Sequence, residues 1–213
     1  KIIFMGTPNF AVPILKAIHE SDHKILEVYT QPAAKSGRGQ KFNHSDIFRY
    51  AEKLNLKVRS PDTLETNEEI NRFKTLKPDL VVVVAYGKIL PPKLLNIDKL
   101  LFINVHASLL PKWRGAAPIQ RAIMNMDSET GISIMKIVPQ LDAGPVMMQE
   151  RIIISQEMSF TELSKKMSEI GAKLILESIK LIENNKANFI EQKESEATYA
   201  KKIQKKESRV NWN

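Results

Sequence analysis

Two polar side chains stand where a predicted apolar strand ends. Asn104 and His106 are two residues apart, which places both side chains on the same side of a strand. Asp142 follows later, in a turn rich in Pro and Gly, and would hold the His106 ring in place if the fold brings the two together. The three residue types suit attack of an amine on a carbonyl carbon. Asn104 and His106 would stabilise the developing oxyanion, and Asp142 would help to move protons.

A purely structural interpretation of these residues remains open. A single histidine at a strand end is often a hydrogen-bonded structural residue, and a carboxylate such as Asp142 is often only a turn former. The histidines at 19, 23 and 44 lie at predicted helix ends or in turns, without a polar partner at strand spacing. His106 has such a partner, Asn104, and precedes a loop with Pro and Gly. No Ser/His/Asp elbow and no His-Glu-x-x-His zinc spacing competes with this pair.

Strands and helices alternate along the chain, which predicts an α/β fold. Residues 79–85 contain four valines without polar alternation, as in a strand covered on both faces of a parallel sheet. The strand that ends at His106 is also apolar, and open α/β sheets bind ligands at the carboxyl ends of their strands. Further strands are predicted at residues 1–5, 25–30, 57–58, 131–137 and 146–154, and helices at 7–20, 45–54, 67–76, 116–124 and 161–183. We therefore predict a Rossmann-like, mostly parallel doubly wound sheet with helices on both faces.

Two loops near the start of the chain invite functional interpretations. Thr7 is predicted to cap the first helix, with Pro8 at its first position. A dinucleotide fingerprint needs three glycines and only Gly6 is present, so this turn is interpreted as structural. The loop at residues 31–43 carries three basic and no acidic residues. It is either a solvated surface loop or a basic arm that binds phosphate.

Composition limits the class of protein. A chain of 213 residues with 43% hydrophobic residues can form one domain with a full core. The absence of Cys excludes disulfides and Cys-based metal sites, and suits a reducing compartment. No apolar run approaches the ~18 residues of a membrane span, and no signal peptide is expected, so we predict a cytoplasmic location. The net charge of +8 favours an acidic partner such as nucleic acid, although many soluble proteins are as basic.

The polar strand end belongs to a longer motif. It reads Asn104-Val105-His106-Ala107-Ser108-Leu109-Leu110-Pro111, then Arg114-Gly115, and later Leu141-Asp142-Ala143-Gly144. This motif resembles the folate-dependent formyltransferase family. The resemblance covers almost the whole chain and includes residues 3–8, 30–32, 36–39, 82–87, 114–121 and 199–202. The central motif is shared by the whole family, whereas residues 114–121 and the Gly-Arg-Gly loop resemble the members that act on tRNA.

The resemblance implies an activity and a set of site residues. Asn104, His106 and Asp142 would transfer a formyl group from 10-formyltetrahydrofolate, without a metal, to the α-amine of methionine on initiator tRNA, for translation initiation. The residues expected at the folate are Ser108, Leu109, Leu110 and Pro111, Gly87, Lys88, Ile89 and Leu90, and Pro139, Gln140 and Leu141. The residues expected at the tRNA acceptor end are Lys35, Arg38 and Lys41. A monomer without membrane contact is expected.

The composition changes after residue 184, which suggests a domain boundary. Residues 193–209 hold six Lys and Arg against three Glu, with little periodicity. We expect residues 1–185 to form the catalytic domain. Residues 186–213 are expected to form a basic connector towards a C-terminal β-barrel domain, which the resemblance implies and which this chain lacks.

Other functions remain open at this stage. A sugar-nucleotide N-formyltransferase would keep the three central residues without needing the basic loop. A glycinamide ribonucleotide transformylase usually has a more glycine-rich first turn, and a formyltetrahydrofolate hydrolase would use water as acceptor. A non-catalytic RNA-binding module would fit the charge, but only 7% of residues are aromatic and no stacking platform is evident. Folate binding would distinguish this last alternative from the enzymes.

Overall fold

The computed structural model describes residues 1–36 and 41–208. In chain order its strands are β1 (Ile2–Gly6), β2 (Ile25–Tyr29), β3 (Ala34–Ser36), β4 (Lys41–Asn43), β5 (Val58–Arg59), β6 (Leu80–Val84), β7 (Leu101–His106), β8 (Arg114–Gly115), β9 (Glu129–Lys136), β10 (Val146–Ile153) and β11 (Tyr199–Ala200). Its α-helices are α1 (Val12–His19), α2 (Asp46–Lys53), α3 (Asn67–Leu76), α4 (Pro92–Leu95), α5 (Pro118–Met124) and α6 (Phe160–Glu183).

A seven-stranded sheet carries the fold. Its strand order is β10-β9-β7-β6-β1-β2-β5. The strands from β7 to β5 pair in parallel, whereas β9 runs antiparallel to β7 and β10 runs antiparallel to β9. The predicted Rossmann-like, mostly parallel sheet is therefore confirmed. Ser133 of β9 lies opposite His106 and Lys136 lies opposite Ile103, so β9 begins beside the carboxyl end of β7. The turn between β9 and β10 then brings Asp142 back to His106.

Helices cover both faces of the sheet, as the unbroken apolar strands predict. In β6, Val82 and Val84 face the core formed with α1, α2, α5 and α6. Val81 and Val83 face the second core, which contains Phe73 of α3 and Leu94 of α4. All five residues of β6 are buried. Burial on both faces explains why this strand shows no alternation of polar and apolar residues.

Helix α6 is the longest helix and packs along α1. It begins with a capping box, in which the Ser159 hydroxyl accepts from the backbone N–H of Glu162 and the Glu162 carboxylate accepts from that of Ser159. Its buried side includes Leu163, Met167 and Leu174. Within residues 1–36 and 41–208, neither this helix nor any other combines the length and the apolar character that crossing a membrane requires.

The predicted start of the first helix is wrong. A 3-10 turn spans Asn9–Ala11, and α1 begins only at Val12, without a side-chain cap. The hydroxyl of Thr7 instead donates to the backbone carbonyl of Tyr86, at 2.8 Å. Thr7 therefore connects the end of β1 to the end of β6. A local capping pattern in the sequence cannot reveal a competing acceptor 79 residues away.

We predicted that the basic segment at residues 31–43 is a loop. The prediction is only partly correct. The segment contains the antiparallel hairpin of β3 and β4, in which Lys35 pairs with Phe42 and Ser36 with Lys41. The strands of three residues each were too short to give a recognisable alternation. The predicted residue Arg38 lies outside the described residues.

The segment after α6 returns to the loop that follows β7. Ile190 forms an isolated antiparallel bridge with Val146, at the start of β10. Further along, β11 pairs in parallel with β8, so Tyr199 lies opposite Arg114 and Ala200 opposite Gly115. The domain boundary predicted at residue 185 stays a prediction. Residues up to Ala200 nevertheless contribute backbone hydrogen bonds to the loop after β7.

A buried ion pair beneath β2 should contribute strongly to stability. The Glu27 side chain is 1% exposed, and both its oxygens accept from Arg72, one of them from Nε at 2.7 Å. We expect Arg72→Met to lower the free energy of unfolding by roughly 2–3 kcal/mol, because it leaves a buried carboxylate without its cation. This expected loss is smaller than for an ion pair with both partners fully buried, because the Arg72 side chain is 36% exposed and water screens its charge.

Urea denaturation of the Arg72→Met variant measures this effect. Adding Glu27→Gln to the variant should recover part of the loss, because the amide carries no charge to bury. An unchanged urea midpoint for Arg72→Met would show that Glu27 does not depend on this partner.

Candidate active site

The carboxyl end of β7 positions the first two candidate residues. Phe102 faces the second core, so alternation along the strand puts Asn104 and His106 on the same face. Asn104 lies opposite Val83 of β6 and Met135 of β9. The Asn104 side chain is half-buried, and its amide has no hydrogen-bond partner among residues 1–36 and 41–208. Its donor is therefore free for a ligand.

The imidazole of His106 has a defined orientation. Its side chain is 6% exposed, and Nε2 lies 2.9 Å from the backbone carbonyl oxygen of Trp113. A carbonyl oxygen only accepts hydrogen bonds, so Nε2 carries a proton and donates it to this contact. Nδ1 then faces Oδ2 of Asp142 at 3.7 Å. The Asp142 carboxylate thus lies beside the ring nitrogen that does not contact Trp113.

Asp142 is fixed from the opposite side by the loop after β7. Its Oδ2 atom accepts from the backbone N–H of Gly115 at 2.8 Å. Oδ1 has no protein partner within the described part of the chain, and the side chain is 18% exposed. The structure thus brings Asp142 to His106, with Asn104 two residues earlier on the same strand face. One carboxylate oxygen is engaged by the protein, and the other is free to accept a proton from a substrate.

The loop from residue 107 to 115 is tied to β9 and β10 through polar contacts. The Ser108 hydroxyl is buried and donates to the carbonyl of Lys112 at 2.6 Å. The Ser133 hydroxyl donates to the Ser108 carbonyl at 2.6 Å and accepts from the Leu110 N–H at 3.0 Å. Gln149 donates to the Leu110 carbonyl and to Ser133. The Ser108 side chain therefore supports the loop, which leaves its hydroxyl no free donor for a folate.

The segment after β6, which we predicted as a folate wall, has one very exposed apolar side chain. Gly87 adopts φ +83°, and a Cβ there would lie 2.4 Å from Nε2 of Gln31. The Lys88 ammonium donates to the carbonyls of residues 61 and 62, at 2.8 and 2.7 Å. Ile89 is 88% exposed, whereas Leu90 is buried in the second core. The segment is thus anchored at both ends and presents Ile89 outwards.

The turn between β9 and β10 presents a second exposed apolar residue. Leu141, directly before Asp142, is 59% exposed. Of the other residues predicted at the folate, Pro139 and Gln140 are exposed, Leu109 and Pro111 are half-buried, and Leu110 is buried. The exposed side chains of Ile89 and Leu141 suit contact with a flat, partly apolar ligand.

The basic residues predicted at the tRNA lie on the hairpin of β3 and β4. Lys35 and Lys41 are exposed, and the Lys35 ammonium lies 5.7 Å from the centre of the Phe42 ring. Beside the hairpin, a cavity of about 430 Å³ is lined in part by Thr7, Gln31, Ala34, Asn43 and Arg49. Within residues 1–36 and 41–208, no hydrogen bond or ion pair joins Lys35 or Lys41 to His106 or Asp142, so the hairpin and the polar site are separate features of the surface.

Comparison with known proteins identifies the family. The family profile described as formyl transferase matches residues 1–179. The chain belongs to the formyl transferase family. This membership confirms the predicted family and the predicted class of enzyme, and it disfavours the non-catalytic RNA-binding alternative.

Individual members of the formyl transferase family align over the full chain. The methionyl-tRNA formyltransferase of Pelagibacter ubique is 54% identical over 214 residues, which cover all of this chain and 69% of that protein. The methionyl-tRNA formyltransferase of Coxiella burnetii is 48% identical over 212 residues, covering all of this chain and 68% of that protein.

Solved structures of formyl transferases share the fold. The N-formyltransferase of Helicobacter canadensis, in complex with folinic acid and dTDP-3-aminofucose, superposes with a TM-score of 0.71 at 23% identity, covering 94% of this chain and 70% of that one. The phosphoribosylglycinamide formyltransferase of Streptococcus pneumoniae superposes with a TM-score of 0.69 at 19% identity. The superposition covers 85% of this chain and 98% of that one. At these identities the likeness shows the fold alone.

The candidate site includes groups that sequence reasoning missed. They are the carbonyl of Trp113, the N–H of Gly115 and the side chain of Gln192, which contacts the turn of Asp142. The motif Arg-Gly after the strand gave a signal for Gly115, because φ +118° there is accessible to glycine. Nothing in the local sequence around Gln192 distinguishes it from the exposed polar residues beside it.

Within residues 1–36 and 41–208, no three His, Cys, Asp or Glu side chains are grouped so that they could hold an ion.

The phenol of Tyr86 should make this formyl transferase sensitive to alkaline pH. The residue is 1% exposed, and burial, followed by the charge of Glu69, raises the pKa of the Tyr86 phenol to about 12. In the unfolded chain this pKa is about 10. A raised folded pKa means that the contribution of Tyr86 to stability is fully present below pH ~10 and is lost as the pH rises to ~12.

Comparing wild type with Tyr86→Phe isolates this contribution. The stability of the variant relative to wild type should increase by about 1 kcal/mol between pH 8 and pH 11, because phenylalanine cannot ionise on unfolding. Urea denaturation at both pH values measures it. A difference that does not change with pH would contradict the raised pKa.

Proposed function

We propose that this protein transfers a formyl group from 10-formyltetrahydrofolate to the α-amine of methionyl initiator tRNA, in the cytoplasm, for translation initiation. The observation that carries the proposal is the contact of His106 with Asp142, beside the free amide of Asn104. It occurs in a chain that is 54% identical to a methionyl-tRNA formyltransferase.

The three side chains divide the work of the reaction. The folate supplies the formyl carbon as the electrophile. The Asn104 amide donates to the formyl oxygen as negative charge develops there, and His106, when protonated at Nδ1, adds a second donor beside it. Asp142 accepts a proton from the attacking amine through its free Oδ1 atom, directly or through water. The bond between the formyl carbon and the folate nitrogen then breaks, and the proton held by Asp142 passes to that nitrogen as tetrahydrofolate leaves. The bond between Oδ2 and Gly115 keeps that carboxylate in place during the transfer.

The folate site that we propose combines the predicted segments around these groups. Residues 87–90 and 139–141 form its walls, and residues 108–111 form its floor. The exposed side chains of Ile89 and Leu141 support this assignment, because a pterin ring has two apolar faces. In this proposal the backbone of residues 108–111 lies against the folate. The Ser108 hydroxyl does not donate to the folate, because it already donates to the carbonyl of Lys112.

We propose that the hairpin of β3 and β4 contacts the acceptor end of the tRNA. The exposed ammonium groups of Lys35 and Lys41 support this role, because phosphate contacts dominate nucleic-acid affinity. Arg38 completes the basic set in the sequence. We also propose that residues 1–185 supply the catalytic groups and that residues 186–213 lead towards a further tRNA-binding domain.

A transfer assay with competing acceptors tests the proposed function. Labelled 10-formyltetrahydrofolate is offered to methionyl initiator tRNA, an aminoacylated elongator tRNA, a dTDP-amino sugar and glycinamide ribonucleotide, and tetrahydrofolate release is followed in parallel without an acceptor. We expect label only on methionyl initiator tRNA. Label on the sugar or the ribonucleotide would overturn the proposed acceptor. Folate turnover without any labelled acceptor would indicate a hydrolase instead.

A further inference from the structure

We propose that Gln192 is a positioning residue that fixes the catalytic turn around Asp142. This inference rests on the proposed function of Asp142 and extends it to a side chain 50 residues away. The Gln192 amide nitrogen donates to the carbonyl of Asp142 at 2.9 Å and to that of Gly144 at 2.7 Å. Its amide oxygen accepts from Nε of Arg114 at 3.0 Å.

The orientation of the Gln192 amide is chemically determined. A guanidinium only donates and a carbonyl only accepts, so exchanging the amide oxygen and nitrogen would break all three contacts. Arg114 is 2% exposed, and its Nη1 also donates to Glu194 at 2.8 Å. The position of Arg114 is set in turn by the pairing of β8 with β11. Gln192 thus transmits the position of a buried arginine to the turn of Asp142.

The turn of Asp142 is a tight bend that has several hydrogen-bonding partners. Asp142 adopts φ +46°, in the left-handed region, which Asp enters more readily than most residues with a side chain. Gly144 follows closely against β9, since a Cβ there would lie 1.9 Å from the carbonyl oxygen of Lys136. Gln192 bonds the carbonyls on both sides of this bend, and Gly115 bonds the Asp142 carboxylate. Backbone and side chain of Asp142 are therefore fixed by separate partners.

Only a side chain with two donors and one acceptor can make these contacts. Glutamate at this position would keep an acceptor for Arg114 but lose both donors, and would place a charge beside two carbonyl oxygens. Gln192→Glu therefore weakens the turn while it preserves the contact with Arg114. Gln156→Glu is the matched control, because it makes the same change at an exposed glutamine that has no side-chain contact in the described structure.

Kinetics of the full chain test whether Gln192 acts through Asp142. In the Gln192→Glu variant we expect kcat for formyl transfer to fall about 10- to 100-fold, because a small displacement of a proton acceptor has an effect of this size. We expect KM for the folate to change less than about threefold. In a protein that already carries Asp142→Asn, adding Gln192→Glu should lower kcat by less than about threefold. The proposal would be overturned if Gln192→Glu lowered kcat by this full factor in the Asp142→Asn protein as well as in wild type. It would also be overturned if Gln156→Glu lowered kcat by the same factor.

A spectroscopic measurement without substrate separates this proposal from the proposed function. The backbone N–H of Gly115 reports on the Asp142 carboxylate that it donates to. Its proton resonance should move upfield in Gln192→Glu, in the same direction as in Asp142→Asn, and stay unchanged in Gln156→Glu. This readout does not depend on which acceptor the enzyme uses. A Gly115 resonance that is unchanged in Gln192→Glu would overturn the positioning role, even if transfer to tRNA is observed.

The Glu194→Gln variant distinguishes an effect on the turn of Asp142 from an effect on Arg114. Glu194 contacts Nη1 of Arg114 but not the turn of Asp142. We expect its kcat to stay within about twofold of wild type. A loss equal to that of Gln192→Glu would place the effect on Arg114 instead of the Asp142 turn and would overturn the proposal.

Discussion

Asp142→Asn is expected to lower kcat for formyl transfer by about 10²- to 10⁴-fold, the usual contribution of a positioned acid or base. The asparagine oxygen can still accept from the N–H of Gly115, so the turn should keep its shape. The amide cannot take the proton of the attacking amine, and it carries no charge opposite the His106 ring. Rapid-quench measurement of a single turnover with saturating folate and methionyl-tRNA would show the loss in the chemical step.

The matched control for this variant is Asp98→Asn. Asp98 is exposed and has no side-chain contact in the described part of the chain. Its rate should match wild type, and the circular dichroism spectra and melting temperatures of both variants should agree with wild type within a few degrees. A single-turnover rate for Asp142→Asn within about threefold of wild type would contradict the acid–base role of Asp142.

Asn104→Ala is expected to lower kcat by about 10²- to 10³-fold, which is the effect of removing one donor to a developing oxyanion. The Asn104 amide has no hydrogen-bond partner within the described residues, so its removal breaks no hydrogen bond among them. The unfolding free energy should therefore change by less than about 0.5 kcal/mol, in contrast to a core substitution. Steady-state kinetics with varied folate, together with urea denaturation, measures both quantities.

The control for Asn104→Ala is Asn96→Ala, at an exposed asparagine without a side-chain contact in the described structure. Its kinetics should be those of wild type. If Asn104→Ala raised KM for the folate and left kcat unchanged, then Asn104 would bind the ground state and transition state equally, and its proposed oxyanion role would be wrong.

The sequence was sufficient to predict those parts of the fold that depend on local pattern. The apolar run of β6 and the polar end of β7 each contain their own signal within six residues or fewer, so the parallel sheet followed from them. The sequence was not sufficient to predict the hairpin of β3 and β4 or the pairing of β8 with β11. These strands are two or three residues long, and their pairing depends on the position of distant chain segments.

The candidate site divides in the same way. The spacing of Asn104 and His106 placed both on one strand face, and the structure brings Asp142 within 3.7 Å of the imidazole. The carbonyl partner of His106 was not predictable, because any residue can supply a carbonyl. The contacts of Thr7 with Tyr86 and of Gln192 with Asp142 join residues 79 and 50 positions apart, and no local pattern encodes such a distance.

The return of residues 190–200 to the loop after β7 has a consequence for the order in which the enzyme matures during its synthesis. The ribosome releases Asn104, His106 and Asp142 well before Gln192 and before the strand that pairs with Arg114 and Gly115. A nascent chain that has completed α6 can build the whole central sheet, yet the loop beside His106 still lacks its hydrogen-bonding neighbours Thr198 and Ala200. We therefore expect the loop beside His106 to reach its final hydrogen bonding late, as a step distinct from formation of the core.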